Sequence, residues 1–291
     1  MGELAALANA VVWALTGVVT KGVGKNVRPA HIVTAQAWIG LSVLVCIGVI
    51  VGQMDDLLRA PLGSVLLLAG GAAINTLGSL VFWIAISRGR VSSVYPTTQS
   101  IFILISVITG WVFLGDNPQV GVIGGAALII GGVILLNWKS FDHHTANKPR
   151  GDYVAIGLAV ITSVLWAGGF VTTAIGIEDT APLPAATIRN FVPAVLFILI
   201  SVFMPKMRLS RVYKGNTIRL VVGALLFAFS SLSFVFALDN APPGVVVVLI
   251  NTSPMWAVIF AAMVLRERLT RYALGGTLLS LSGIFVVLAF K

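Results

Sequence analysis

The sequence predicts an all-α membrane protein of ten transmembrane helices, arranged as two inverted five-helix repeats. Three observations lead there: an apolar composition cut into pieces of membrane length, a self-match at a nearly constant offset, and a loop charge bias that reverses between the matched halves. The 291 residues are 58% hydrophobic and 10% charged, with a mean hydropathy of +1.01. Soluble domains carry about 25% charged residues. A hydrocarbon core about 30 Å thick takes roughly 20 mainly apolar residues per helical span. Ten spans with short connections use nearly the whole chain and leave no room for a soluble domain.

The spans are expected at about 4–21, 30–51, 62–86, 91–113, 118–138, 153–176, 184–204, 217–238, 243–265 and 271–290. Most breaks between them are short and contain Gly, Pro or charge. The longest polar stretch runs from Lys139 to Asp152 and holds His143 and His144. With no third ligand nearby, that pair reads as part of a solvated linker, so neither a metal nor a cofactor is expected. Cys46 is the single cysteine and lies in an apolar run, which excludes an intramolecular disulfide or a thiolate metal site. The start Met1-Gly2-Glu3 lacks the basic region of a signal peptide, so the first apolar segment is expected to be a retained span. Ala6 breaks the myristoylation pattern. The net charge of +9 does not point to nucleic acid. The basic residues sit between apolar runs, as cytoplasmic loop charges do, and the expected macroscopic partner is the lipid bilayer.

Residues 79–86, SLVFWIAI, match 231–238, SLSFVFAL, at an offset of 152. Residues 124–133, GGAALIIGGV, match 275–284, GGTLLSLSGI, at 151, and Trp13-Ala14 matches Trp166-Ala167 at 153. Three ordered matches at nearly one offset mark a duplication. The first repeat is 1–140, the linker 141–151 and the second repeat 152–291.

An odd number of spans makes the second copy enter the membrane from the opposite side, and the loop charges test this independently. The loop after span 1 holds Lys21, Lys25 and Arg28, and its counterpart after span 6 holds Glu178 and Asp179. The loop after span 2 has only Arg59, whereas that after span 7 has Lys206, Arg208, Arg211, Lys214 and Arg219. Arg88 and Arg90 after span 3 face Asp239 after span 8, and Asp116 after span 4 faces Arg266, Arg268 and Arg271 after span 9. The bias reverses at every equivalent pair, as inverted repeats require. The odd-numbered loops carry 16 of the 19 Lys and Arg, and the other side only Arg59 and Lys291. The odd loops are therefore expected in the cytoplasm and both termini on the outer, periplasmic side.

Inverted repeats are a common transporter architecture, with the binding site near the midplane. Polar residues within spans mark such a site, because they are costly against lipid. Span 1 has Asn9, Trp13, Thr16 and Thr20 on one helical face. Span 6 repeats the stripe with Thr162, Trp166, Gly169 and Thr173. A tryptophan that deep either lines a cavity or packs between helices, and two equivalent stripes are expected to be cavity walls. Span 4 carries Tyr95, Gln99, Phe102 and Ser106, with Pro96 freeing a carbonyl. Span 9 carries Asn251, Thr252 and Ser253 just before Pro254. A polar run beside a helix-breaking proline is tolerated where backbone lines a cavity or is covered by protein. Span 3 adds Asn75 and Thr76, and span 8 adds Ser230, Ser231 and Ser233. The bland alternative for each of these is an interhelical hydrogen bond.

Arg189, beside Asn190, is the basic residue inside a span. It either snorkels to the outer surface or anchors a substrate carboxylate. All ten Asp and Glu lie in loops or at helix ends, so no mid-membrane carboxylate serves as a proton relay. Spans 5 and 10 are rich in glycine, with Gly121, Gly124, Gly125, Gly131 and Gly132 in one and Gly275, Gly276 and Gly283 in the other. Small residues let backbones approach closely, and these spans are expected to serve packing or a homodimer contact rather than substrate.

Two five-helix units, each with Trp-Ala in the first helix and an LGD (114–116) or LRE (265–267) turn before a Gly-rich last helix, resemble the EamA repeat of the drug/metabolite transporter superfamily. Within it the chain looks most like YddG-type amino-acid exporters of the bacterial inner membrane. That resemblance implies outward transport of aromatic and other neutral amino acids and related small metabolites by alternating access. A multidrug or nucleotide-sugar carrier of the same fold is the alternative, although a sugar nucleotide would need more basic residues than Arg189. An intramembrane lipid enzyme is the alternative from another class. The sequence holds no HExxH, no GxSxG and no buried carboxylate pair to support enzyme chemistry.

Overall fold

The computed structural model describes residues 1–21, 29–88, 91–115, 119–136, 150–203, 217–264 and 271–290, and every regular element among them is an α-helix. In order they are α1 (Gly2–Lys21), α2 (Pro29–Val51), α3 (Met54–Leu58), α4 (Leu62–Arg88), α5 (Val91–Leu114), α6 (Val120–Leu136), α7 (Arg150–Gly176), α8 (Pro182–Phe203), α9 (Thr217–Asn240), α10 (Pro243–Ile250), α11 (Ser253–Val264) and α12 (Arg271–Ala289). The linker histidines 143 and 144, Asp116, the LRE turn and the basic residues at 25, 28, 90, 139, 148, 206–214, 266, 268 and 291 lie outside the described residues.

Among the described residues eight segments are long and apolar enough to cross a membrane, the one over Pro243–Phe260 taking in both α10 and part of α11. Two further apolar helices, Val120–Leu135 and Leu274–Ala289, are shorter. The side chains left on the surface are those a lipid-facing protein presents: Ile50, Leu66, Phe113, Phe229 and Phe285 are all exposed. Water would make such a surface a large unfavourable patch, whereas hydrocarbon solvates it.

The structure adds two features to the expected span pattern. The short helix α3 occupies the connection between α2 and α4, where Gly52 turns the chain with φ of 75°, a conformation that favours glycine. Gly115, the glycine of the LGD turn, has φ of 64° and ends α5 in the same way. The ninth expected span is divided into α10 and α11. Pro254 has no amide to donate to the carbonyl four residues back, and the helix stops at Asn251 and Thr252. Their side chains turn back on the helix end: Asn251 Nδ2 donates to Val247 O at 2.7 Å, and Thr252 Oγ1 donates at 2.7 Å to Leu249 O, which also accepts the Thr252 amide.

The chain divides by packing into two compact units. One comprises Met1–Ala73 with Thr172–Asn240, and the other Ile74–Val171 with Ala241–Lys291. Each unit thus draws on both sequence repeats. In the first, α9 packs against α1, α2 and α8, and α2 also packs on α8. Small residues carry these contacts: Ala35 meets Leu220, and Ala37 meets Ala194 and Phe197. In the second unit α6 packs along α12, and α10 packs against α5 and α6. The glycines of α6 and α12 make that approach possible. A Cβ on Gly125 would fall among Val287 and the carbonyl of Gly283, and one on Gly132 would meet Ser280 and the carbonyl of Gly276. Phe82, Ala85, Val94, Ala155 and Ala159 form a core cluster from α4, α5 and α7.

Several hydroxyls inside the described helices return to their own backbone. Thr16 donates to Val12 O, Thr98 to Val94 O, Thr162 to Leu158 O and Thr187 to Leu183 O, each at 2.8–2.9 Å. This back-bonding satisfies the polar group without a second helix.

Candidate functional site

The ten candidate residues fall four to the first unit (Asn9, Trp13, Thr16, Arg189) and six to the second (Asn75, Tyr95, Gln99, Trp166, Asn251, Ser253). The side chain of Tyr95 lies outside the described residues.

In the first unit the organising surface is one face of α9. Phe227, Ser230, Ser231 and Phe234 recur at i, i+3, i+4 and i+7, which aligns them on one side of a helix. Trp13 of α1 meets Phe227, with ring centroids 6.1 Å apart and planes inclined at 51°. One turn away, Asn9 Nδ2 donates to Ser230 O at 2.7 Å and to Ser230 Oγ at 2.9 Å. From α8, Asn190 Nδ2 donates to Ser231 Oγ and to Ala186 O, both at 2.8 Å. The Arg189 guanidinium carbon lies 4.6 Å from the centroid of the Phe234 ring. Pro193, inside α8, withholds the amide that the Arg189 carbonyl would otherwise accept. The side chains of α9 therefore hold α1 on one flank and α8 on the other. Asn9 is buried and committed to this frame, while Trp13 keeps 40% of its surface exposed. Thr16 is buried and bonded within its own helix.

Phe227 and Phe234 are the two participants that sequence reasoning passed over. The signal was present, because Ser230 and Ser231 were singled out and the two phenylalanines complete their helical face.

In the second unit Trp166 of α7 is half-buried among rings. Phe82 lies 5.2 Å away by centroids, and Phe102 lies 6.1 Å away at 79°, edge to face. Phe102 also meets Phe170 at 6.3 Å. The Trp166 Nε1 is buried without a hydrogen-bond partner. Opposite it is Gly78 of α4, where a Cβ would stand 2.6 Å from Trp166 Cδ1. Ser163 joins α7 to α5 by donating to Thr98 O at 2.9 Å. Gln99, the next residue, is buried. Asn251 and Ser253 are buried at the α10–α11 break, and Asn75 is half-buried on α4.

Two surface concavities contain none of these candidates. One lies along α2, lined by Trp38, Ser42 and Cys46, and the other is lined by Gln119, Gly121 and Phe290. Both are open and apolar, as expected of grooves that lipid chains fill, so the polar clusters are the better functional candidates. Among the described residues no group of three His, Cys, Asp or Glu could hold a metal.

A solved structure described only as a crystal structure of a protein matches 100% of this chain and 98% of its own, at 14% identity and a TM-score of 0.81. At that identity the likeness shows the fold alone. No curated protein sequence matches the chain. The model of the EamA-like transporter family matches it twice, over residues 1–138 and 154–289. That family consists of membrane transporters rather than enzymes, and the two matches span nearly all of the apolar helices described above: the chain belongs to the EamA-like transporter family as a multi-pass membrane protein.

Proposed function

We propose that this transporter exports amino acids, aromatic and other neutral ones, and related small metabolites by alternating access across the bacterial inner membrane. The observation that carries the reading is Trp13. It stands near the middle of a membrane-length helix with 40% of its surface exposed. Tryptophan prefers the interfaces of a bilayer to its middle, so an open indole face at that depth suits a solute cavity better than lipid. Such a face attracts an ammonium group by about 0.5–2 kcal/mol. Trp166, Tyr95, Asn75 and Thr16 are proposed to share in solute contact, with Gln99, Asn251 and Ser253 as hydrogen-bonding groups. Asn251 already gives one amide hydrogen to Val247 O, which leaves one for a solute.

The proposal includes ten membrane crossings with both termini periplasmic. In a Cys46→Ser background, a cysteine at position 143 should be shielded from an impermeant thiol reagent in intact cells, and one appended after Lys291 should react. The reverse pattern would overturn the orientation. A homodimer through α6 and α12 would have to use faces other than the glycine contact, which is occupied within the chain. With every Asp and Glu in a loop or at a helix end, flux is expected to follow the solute gradient without an imposed pH gradient.

The deciding experiment is counterflow of a labelled amino-acid panel into proteoliposomes containing only this protein. Uptake of aromatic or other neutral amino acids against empty-liposome controls is the expected result. No flux of any amino acid through folded, inserted protein would sink the proposal.

A further inference from the structure

The first unit holds a guanidinium that pairs with no acidic side chain among the described residues. Arg189 lies seven residues into α8, about 10 Å from its start at 1.5 Å per residue. Its guanidinium carbon is 4.6 Å from the centroid of the Phe234 ring. Phe234 itself lies six residues, about 9 Å, inside the end of α9. The head group is therefore held against a ring two turns deep, instead of being carried out to water by its stem as a snorkelling side chain is.

An arginine keeps its proton and offers five N–H donors. The Arg189 Nε is buried with no hydrogen-bond partner, and no described acidic side chain pairs with the residue. The polar groups that join α1 and α8 to α9 are bonded to one another. Ser231 Oγ and Ala186 O receive the Asn190 amide, and Ser230 O and Oγ receive the Asn9 amide. A ring face attracts the charge but accepts none of the in-plane N–H groups in the way an oxygen does.

We infer that Arg189 is an oxyanion-binding centre that takes the carboxylate of the transported solute. The inference rests on the amino-acid reading above and supplies the counter-charge that the carboxylate lacks there. The planar fork of a guanidinium matches a carboxylate with two parallel hydrogen bonds. Phe234 positions the fork, and Asn190 and Ser231 fix α8 beside it. Solutes that keep the carboxylate are bound in preference to the same skeleton as an amide, and cations without an anionic group are disfavoured.

A lipid phosphate carries the same oxyanion chemistry, so the test separates the two sources. Protein purified in a maltoside detergent is heated with phenylalanine, phenylalaninamide, 3-phenylpropionate or phosphatidylglycerol, and its melting temperature is followed. Phenylalanine and 3-phenylpropionate should stabilise the wild type, and phenylalaninamide should not. Arg189→Gln should bind both carboxylates roughly 10- to 100-fold more weakly, the scale of a hydrogen bond to a charged group, and Arg189→Lys should retain part of the affinity. If Arg189→Gln does not fold, Arg189→Lys and Phe234→Leu carry the test, with carboxylate affinity lowered in both. Unchanged carboxylate affinity in the folded variants overturns the inference. So does stabilisation by phosphatidylglycerol with none by either carboxylate. Arg189-dependent stabilisation by 3-phenylpropionate without amino-acid counterflow would leave the oxyanion centre standing and remove the amino-acid reading. Undiminished amino-acid counterflow and carboxylate affinity in Arg189→Gln would do the opposite.

Discussion

Trp13 and Trp166 occupy the same place in the two repeats, yet their surroundings differ. Trp13 touches Phe227 and keeps 40% of its surface free. Trp166 is flanked by Phe82 and Phe102 and presses on Gly78. The neighbours explain the difference. At the offset of 152, Ser230 corresponds to Gly78 and Phe227 to Asn75. Where Ser230 stands, Asn9 bonds to it and the indole one turn on leans to Phe227. Where Gly78 stands, the missing side chain leaves room that Trp166 fills. Thr162, the counterpart of Asn9, donates to its own helix at Leu158 O instead of to a second helix. One duplicated motif therefore presents an open aromatic face in one unit and a more enclosed one in the other.

The comparison is most exposed to failure at Trp166→Ala. Removing a large side chain from packed surroundings costs about 3–5 kcal/mol. The expected result is a clear fall in melting temperature in detergent, toward the lower end because the ring is only half-buried. A Trp166→Ala protein that melts like the wild type but has lost transport would make solute contact the whole of its role and remove the packing difference from Trp13. Next comes Gly78→Ala, which forces a Cβ to within 2.6 Å of Trp166 Cδ1. Overpacking of that kind costs about 1–3 kcal/mol, and unaltered thermal stability would mean that the indole moves aside freely.

The effect at Trp13 should appear in another quantity. Trp13→Ala should leave the melting temperature nearly unchanged and weaken apparent solute affinity about 2- to 30-fold, the range of a cation–π contact. A stability loss equal to that of Trp166→Ala would erase the distinction between the two sites. The smallest change is expected at Asn9→Ala. Interhelical hydrogen bonds inside membranes average about 0.6 kcal/mol and reach about 1.7, so melting should fall slightly. A loss well beyond that ceiling would show that Asn9 does more than tie α1 to α9.

Much of the helical pattern was legible because span length and composition are set by the bilayer. The break before Pro254 was announced by the polar run Asn251, Thr252 and Ser253 beside a proline that withholds its amide. What the sequence could not say was which helices pair. In water a buried stripe stands out against a polar face. Here both sides of a helix are apolar: on α12, Val287 is fully buried and Phe285, two residues earlier, is exposed. No periodicity separates such residues. The same blindness hid Phe227 and Phe234, which look like any lipid-facing phenylalanine until Trp13 and Arg189 are found against them. It also concealed that each packed unit mixes the two repeats.

The hydrogen bond from Asn9 to Ser230 spans 221 positions of the chain, and this bears on how the protein is made. A helix whose hydroxyls fold back on their own carbonyls can enter hydrocarbon alone, with its polar groups already satisfied. The carboxamide of Asn9 takes another course in the folded chain: its acceptors are on a helix synthesised after the first repeat is complete. A nascent chain that ends short of residue 230 lacks these acceptors, so the Asn9 amide must turn to its own helix, as those of Asn190 and Asn251 do, until α9 arrives.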